Sequence, residues 1–397
     1  MKTKHNIPVI IFGSHIAAYG AIKGFITKKV TIYIVCPTGK GIATKSRFVK
    51  KTLVLDPDDP LFISKVSNFL HEIGGHAVAM VAGTDEYLDI LSQNIDKFPE
   101  GLKFTFSDWN IVSQVRRKIL TYKKCEELGI GYPKTFYIRS KNELLKNISD
   151  IEKILPVILK SEKSSKLLKE YHLKGVIAHS SDDILRAYHK YSGFYNELLI
   201  SEYIPGDESS LVNLIGVSDR KGDSVEIFMN RKVRIAREFL SCTLMEDYYS
   251  NELLQQSVML IKGMKYFGYF NPEFKIDPRD GQLKLMEING RITLSNSHAL
   301  LAGLNLPYAM YLVALDSYPN ELKIYRQRGR LLWWEPLGDI VSSLKMIKHN
   351  KLNIFSFFKS LVATKYIFEP FCIKDPWVGF LWLGHFALHA IKKLIKI

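Results

Sequence analysis

Apolar positions in the first hundred residues fall in short unbroken runs, at 8–13, 30–36, 52–55 and 77–81. Runs of that length without polar alternation are the pattern of strands buried on both faces of a parallel sheet. Small apolar residues at helical spacing follow the first run, in GSHIAAYGAIKGF, and 63–73 carries a second helical period. Residues 1–110 therefore predict one small parallel α/β domain. Beyond it the pattern changes. An amphipathic helix over 116–128 ends at Gly129, with Gly131 and Pro133 as further stop signals. Strands at 135–138, 157–160 and 197–204, a helix over 182–191, long strands at 209–217 and 224–235, and a helix over 252–267 predict an α+β domain spanning 111–320.

The most informative alternation lies at 270–277 and 283–289, two runs flanking the turn composition Pro278-Arg279-Asp280-Gly281. A period of two places Glu273, Lys275 and Asp277 on one face of the first strand and Glu287 and Asn289 on one face of the second. With Gly281 left-handed in a three-residue loop, Pro278 pairs with Gln282 and Glu273 comes to lie opposite Glu287. Facing carboxylates repel unless a cation lies between them. Mg²⁺ takes hard oxygen ligands, and an Asn carbonyl adds a neutral one. Glu273, Glu287 and Asn289 are thus a candidate metal set, although a solvated hairpin would by itself account for the same residues.

Residues 321–397 differ in texture, with dense aromatics and recurring lysines. This last fifth carries 13 Lys and Arg against 5 Asp and Glu, about half of the net charge of +15. The uncharged run 376–391 is shorter than the ~20 residues of a spanning helix. It reads as an interfacial helix on an anionic membrane surface, with packing on the core, or on a second subunit in a homodimer, as the alternatives. No nucleic-acid motif accompanies the charge, so no nucleic-acid partner is expected. The turn after the first strand lacks a full GxGxxG and no acid ends the second strand, which argues against a dinucleotide site. Four scattered cysteines without metal-ligand spacing read as reduced thiols. The first apolar run is too short for a signal peptide, and the expected compartment is the cytoplasm, with a peripheral position at the inner face of the membrane.

Taken in order, these motifs resemble the ATP-grasp superfamily, in particular its carboxylate-amine ligases, over about 8–320 and more weakly to Asp375-Pro376. The stretch PEFKIDPRDGQLKLMEINGR, followed by SNSHALLAGLNLPYAMYLVALD, is similar to the family's acid-bearing hairpin with its E-x-N-x-R end. The resemblance implies an ATP-grasp fold, α/β and α+β, preceded by a parallel α/β domain and followed by a helical, aromatic-rich basic C-terminal extension. It implies ATP and Mg²⁺ as cofactors, the metal on Glu273, Glu287 and Asn289, and Arg291 facing the transferred phosphate or acyl phosphate. PVILKS resembles the strand whose lysine, here Lys160, meets the α- and β-phosphates. LLISEYIPGDES resembles the adenine hinge, with Glu202, Tyr203 and Ile204 presenting backbone groups to the purine and Glu208 accepting from the ribose. Lys118 and Lys174 match further phosphate ligands, and Lys232 and Arg234 a basic pair near the γ-phosphate and substrate. Ser46-Arg47 is similar to a family pair without an assigned role. Three departures stand out: SEKSSKLLKEYHLKG has glycine only at Gly175, Arg117 replaces an acid, and EINGR replaces Asn-Pro-Arg. The activity implied is ATP-dependent joining of a small-molecule carboxylate to an amine. A catalytically weak nucleotide-binding protein docked on a membrane surface is the alternative.

Overall fold

The computed structural model describes residues 6–161, 175–191, 198–235, 242–319 and 321–384. Lys174 and the end of the 376–391 run lie outside the described residues. The N-terminal runs form a five-stranded parallel sheet in the order Val49–Val54, Ile32–Cys36, Val9–Phe12, Ala77–Val81, Leu102–Phe104. Alternation within the central strands sends Ile10, Phe12, Ala79 and Val81 into one core and Val9, Ile11, Val78 and Met80 into another. Both faces are covered, which is why these strands contain no polar residue.

A four-stranded antiparallel sheet, Thr135–Ile138, Leu198–Glu202, Val157–Ser161 and Val176–Ala178, forms a small lobe. Its core is separate, closed by Leu144 and Ile151 of the helix Lys141–Glu152 and Ile184 of the helix Ser181–Tyr191. The third sheet runs Leu283–Asn289, Gly268–Ile276, Leu211–Ser218, Ser224–Ile235, Cys242–Asp247, Leu331–Trp334, Lys365–Phe368, with Lys323–Ile324 paired to the Ser224–Ile235 strand. Its apolar faces join the cores of the N-terminal sheet: Val212 and Phe274 pack into one and Val217 and Tyr269 into the other. The two regions read from the sequence thus share their interior.

The C-terminal residues contribute the helices Pro336–Lys348 and Ile354–Ser360 and also three strands of the large sheet. Trp333 is fully buried, its Nε1 donating to Ser297 Oγ at 3.0 Å. Ser297 in turn donates to Glu369, which pairs with Lys23 at 2.7 Å. Ser46 donates to Asp375 at 2.5 Å. Position 320 is therefore no boundary in the sheet. No helix among the described residues is long and apolar enough to cross a membrane. The helix expected over 116–128 is present as Lys118–Leu128, and an additional helix, Trp109–Arg116, precedes it across an extended Arg117, with φ −104° and ψ 112°.

Candidate active site

Gly268–Ile276 and Leu283–Asn289 pair antiparallel, with Glu273 opposite Glu287 and Asn271 opposite Asn289. The facing acids were expected, but the chain reaches them by another route. The turn closes with Asp277 N donating to Gln282 O at 2.9 Å, leaving four residues in the loop, and Gly281 takes φ +75°. That register is one residue off. A bulge restores it: Phe274 pairs with Leu285 and Glu273 with Glu287, so Met286 is the extra residue. A bulged carbonyl leaves the ladder and needs other donors. Met286 O accepts from Lys118 Nζ at 2.6 Å and from Tyr122 OH at 3.1 Å. Burial pushes the Tyr122 phenol well above its usual pKa, so it remains a donor. Lys118, expected at a phosphate, stands here 4.0 Å from Glu287 Oε2.

The facing acids open into a cleft of ≈ 460 Å³. Lys232 Nζ lies 2.6 Å from Glu273 Oε2. Burial alone would lower the Lys232 pKa, yet the attraction of Glu273, with a smaller share from Glu287, holds it above the ordinary lysine value. Asn289 Nδ2 points to Glu287 Oε1 at 3.5 Å. Two carboxylates and an amide oxygen form a hard, oxygen-only donor set that suits Mg²⁺ completed by phosphate oxygens. No group of three or more His, Cys, Asp and Glu gathers among the described residues, so phosphate would supply part of the ligand sphere.

The cleft's other wall comes from the N-terminal sheet. Its strand order reverses between Val9–Phe12 and Ala77–Val81, and the crevice beyond the carboxyl ends of such a pair is a natural ligand site. His15 and Thr84, which follow those strands, line the cleft. Gly13 permits the approach of the two loops, since a Cβ there would lie 2.0 Å from the Ala82 carbonyl. The hairpin's exit is stitched to the same place: Ile292 N donates to Val81 O and Gly83 N to Ile292 O, both at 3.0 Å. This sets Arg291 against Asp85, with Nε to Oδ1 at 2.7 Å and NH2 to Oδ2 at 3.3 Å. Arg116 reaches the same carboxylate at 3.3 Å while forking onto Asp89. Burial alone would raise the Asp85 carboxyl, but the two arginines hold it below the usual carboxylate range. Asp85 escaped the sequence reading because nothing local links it to Arg291. Its place at the start of the helix following a central parallel strand was the available signal.

Arg234 is not brought to this cleft. Its side chain is buried, forking onto Asp339 at 2.8 and 2.7 Å and donating to Ser360. The expected basic pair is split by register shifts on either side of Arg234 in the pairing with Cys242–Asp247. Lys160 lies in the small lobe, paired with Leu199 on the strand Leu198–Glu202. Glu202 accepts from Arg279 at 2.6 Å, and Tyr203 N donates to Pro156 O at 3.0 Å. Lys275 donates to Ile204 O at 2.9 Å and Gly206 O at 3.0 Å. Two cations of the hairpin thus tie residues 202–206 to the strand that carries Glu273. Glu208 opens the short 3-10 turn Glu208–Ser210 just beyond.

Residues 217–318 match the family profile described as carbamoyl-phosphate synthase L chain, ATP binding domain. The chain is 27% identical over 331 residues to a D-aspartate ligase of Enterococcus faecium, covering 77% of this chain and 76% of that protein. It is similar in fold to N5-carboxyaminoimidazole synthetase from Staphylococcus aureus complexed with ADP, at 13% identity and TM-score 0.68, covering 88% of this chain and 87% of that one. The biotin carboxylase domain of Hydrogenobacter thermophilus 2-oxoglutarate carboxylase, in complex with MgADP, ADP and bicarbonate, gives a TM-score of 0.63 at 14% identity, covering 80% and 72%. The facing acids of the hairpin thus lie within the stretch that matches an ATP-binding domain, in a chain whose fold is similar to that of these ADP-complexed proteins.

Proposed function

We propose that the chain is an ATP-dependent ligase in which the γ-phosphoryl group passes to a carboxylate oxygen and an amine then displaces phosphate, leaving an amide, ADP and phosphate. The observation that carries this reading is the facing pair Glu273 and Glu287, with Lys232 and Arg291 around one cleft. Phosphoryl transfer to a carboxylate brings anions together, so fixed cations have to cancel charge. Mg²⁺, when bound, draws charge from the phosphate oxygens; Glu273, Glu287 and Asn289 would hold it. Lys232, kept charged by Glu273, donates to the transferring phosphate. Arg291, oriented by Asp85, holds the oxyanion that forms as the amine adds. Further along, Lys118, Lys160 and Lys174 meet the remaining phosphates, the backbone of Glu202, Tyr203 and Ile204 meets the purine, and Glu208 meets the ribose.

The likeness to a D-aspartate ligase makes a small acidic amino acid the first carboxylate to try. We place the reaction in the cytoplasm, where ATP is supplied and the four free cysteines stay reduced, with the enzyme at the inner face of the membrane. The test is ADP release with Mg²⁺ present, screening amino acids and sugar acids against pools of amines. Glu287→Gln is expected to lower that release at least roughly a hundredfold with an unchanged melting curve. Unchanged turnover would remove the metal assignment. ATP binding without ADP release from any pool would favour the silent nucleotide binder.

A further inference from the structure

We propose that the face carried by residues 340–384 docks on an anionic lipid surface. This inference stands apart from the ligase reading, because it rests on residues outside the cleft. Thirteen of the eighteen exposed large apolar side chains among the described residues fall in these 45 positions, including Phe355 at 80% and Ile373 at 100% exposure. Contacts tie parts of this segment together. The Tyr366 hydroxyl donates to Leu361 O beside the Ile354–Ser360 helix, and its ring stacks on Phe368. Phe371 N donates to Phe368 O, and the Phe371 ring lies against Gly379 in the helical residues 376–384, which carry Trp377 and Phe380. Exposed apolar side chains concentrated in one segment in this way mark a partner.

Charge decides which partner. Both acids of this segment, Glu369 and Asp375, are fully buried and spent on Lys23, Ser297 and Ser46. All six lysines, at 345, 348, 351, 359, 365 and 374, are exposed. The remaining sequence, 385–397, adds Lys392, Lys393 and Lys396 and no acid. Exposed aromatics among lysines, with no exposed acid, complement a bilayer that offers both anionic headgroups and a hydrocarbon interior. A second copy would set lysine against lysine, and a nucleic-acid backbone would leave Ile354, Val362 and Ile373 uncovered.

The test is flotation of the purified full chain with vesicles of phosphatidylcholine alone and of phosphatidylcholine with phosphatidylglycerol. Binding is expected only with phosphatidylglycerol and is expected to weaken with added salt. Replacing Lys345, Lys351 and Lys359 by Glu should lower it by at least roughly a hundredfold. Phe355→Ser with Phe358→Ser should also abolish it. Both variants should keep the parent melting temperature, since the replaced side chains are exposed. The proposal is overturned if phosphatidylglycerol vesicles are not bound, if phosphatidylcholine alone binds as well, if RNA is bound more tightly, or if the phenylalanine variant instead turns a dimer into a monomer.

Discussion

Two forked arginine–aspartate pairs join distant parts of this chain, and their surroundings differ. Arg291 meets Asp85 across 206 residues and Arg234 meets Asp339 across 105, with closest contacts of 2.7 Å in both. Arg234 and Asp339 are 6% and 0% exposed, and Asp339 also accepts from Thr243 and Trp334, each at 2.8 Å. Arg291 and Asp85 are 16% and 31% exposed, and Arg291 lines the cleft. Equal geometry thus serves unequal ends. A pair whose lone pairs are all used internally anchors the C-terminal helices, whereas a pair open to a cavity leaves its guanidinium able to meet an incoming charge.

That contrast can be broken by substitution. Arg234→Met leaves Asp339 buried without its cation and should cost about 3–5 kcal/mol of stability, read as a lower urea midpoint, while ADP release per folded molecule is retained. Loss of turnover without loss of stability would return Arg234 to the cleft. Arg291→Lys should do the converse, lowering turnover roughly a hundredfold while the urea midpoint moves little, because a partly wet pair contributes little. Asp85→Asn sharpens the point. Arg291 stays charged but loses its orienting partner, and about a tenfold loss in kcat is expected, an effect between these extremes and smaller than loss of a direct donor, with KM for ATP unchanged. The same variant has an acid signature. The Asp85 pKa is depressed in the folded chain, so its contribution to stability is present above the ordinary carboxylate pKa of about 3.9 and is lost as pH falls through the folded value. Urea midpoints across that range should lose this component in the Asn variant. The smallest effect belongs to Tyr122→Phe, about 1 kcal/mol, since Lys118 still holds the Met286 carbonyl.

The hairpin was legible because its information is local: alternation, a turn composition and one glycine. The buried parallel strands were legible for the same reason, as unbroken apolar runs. Arg234 was misplaced because Lys232 and Arg234 look alike in the sequence, and only the register shifts and a partner 105 residues away separate them. The C-terminal strands were read as an extension because Leu331–Trp334 and Lys365–Phe368 are four residues each and pair with neighbours far from their own turns. Asp85 had only its place after a central parallel strand to mark it, and the short helix Trp109–Arg116 carries no apolar period of its own that separates it from its neighbour.

The bulge at Met286 has a consequence for how this site can vary. Thirteen residues, 274–286, lie between the two acids. An odd interval folds back so that its ends meet in two ways: through an odd loop with every residue paired, or through an even loop with one residue left over. The chain takes the second way. What has to be inherited is therefore the parity of the interval and the bulge considered together, and the turn residues are free to drift. One residue inserted opposite Met286 would complete the ladder and still bring Glu273 to Glu287. It would also withdraw from Lys118 and Tyr122 the carbonyl they now hold, so relatives that lack the bulge should have found Lys118 another occupation.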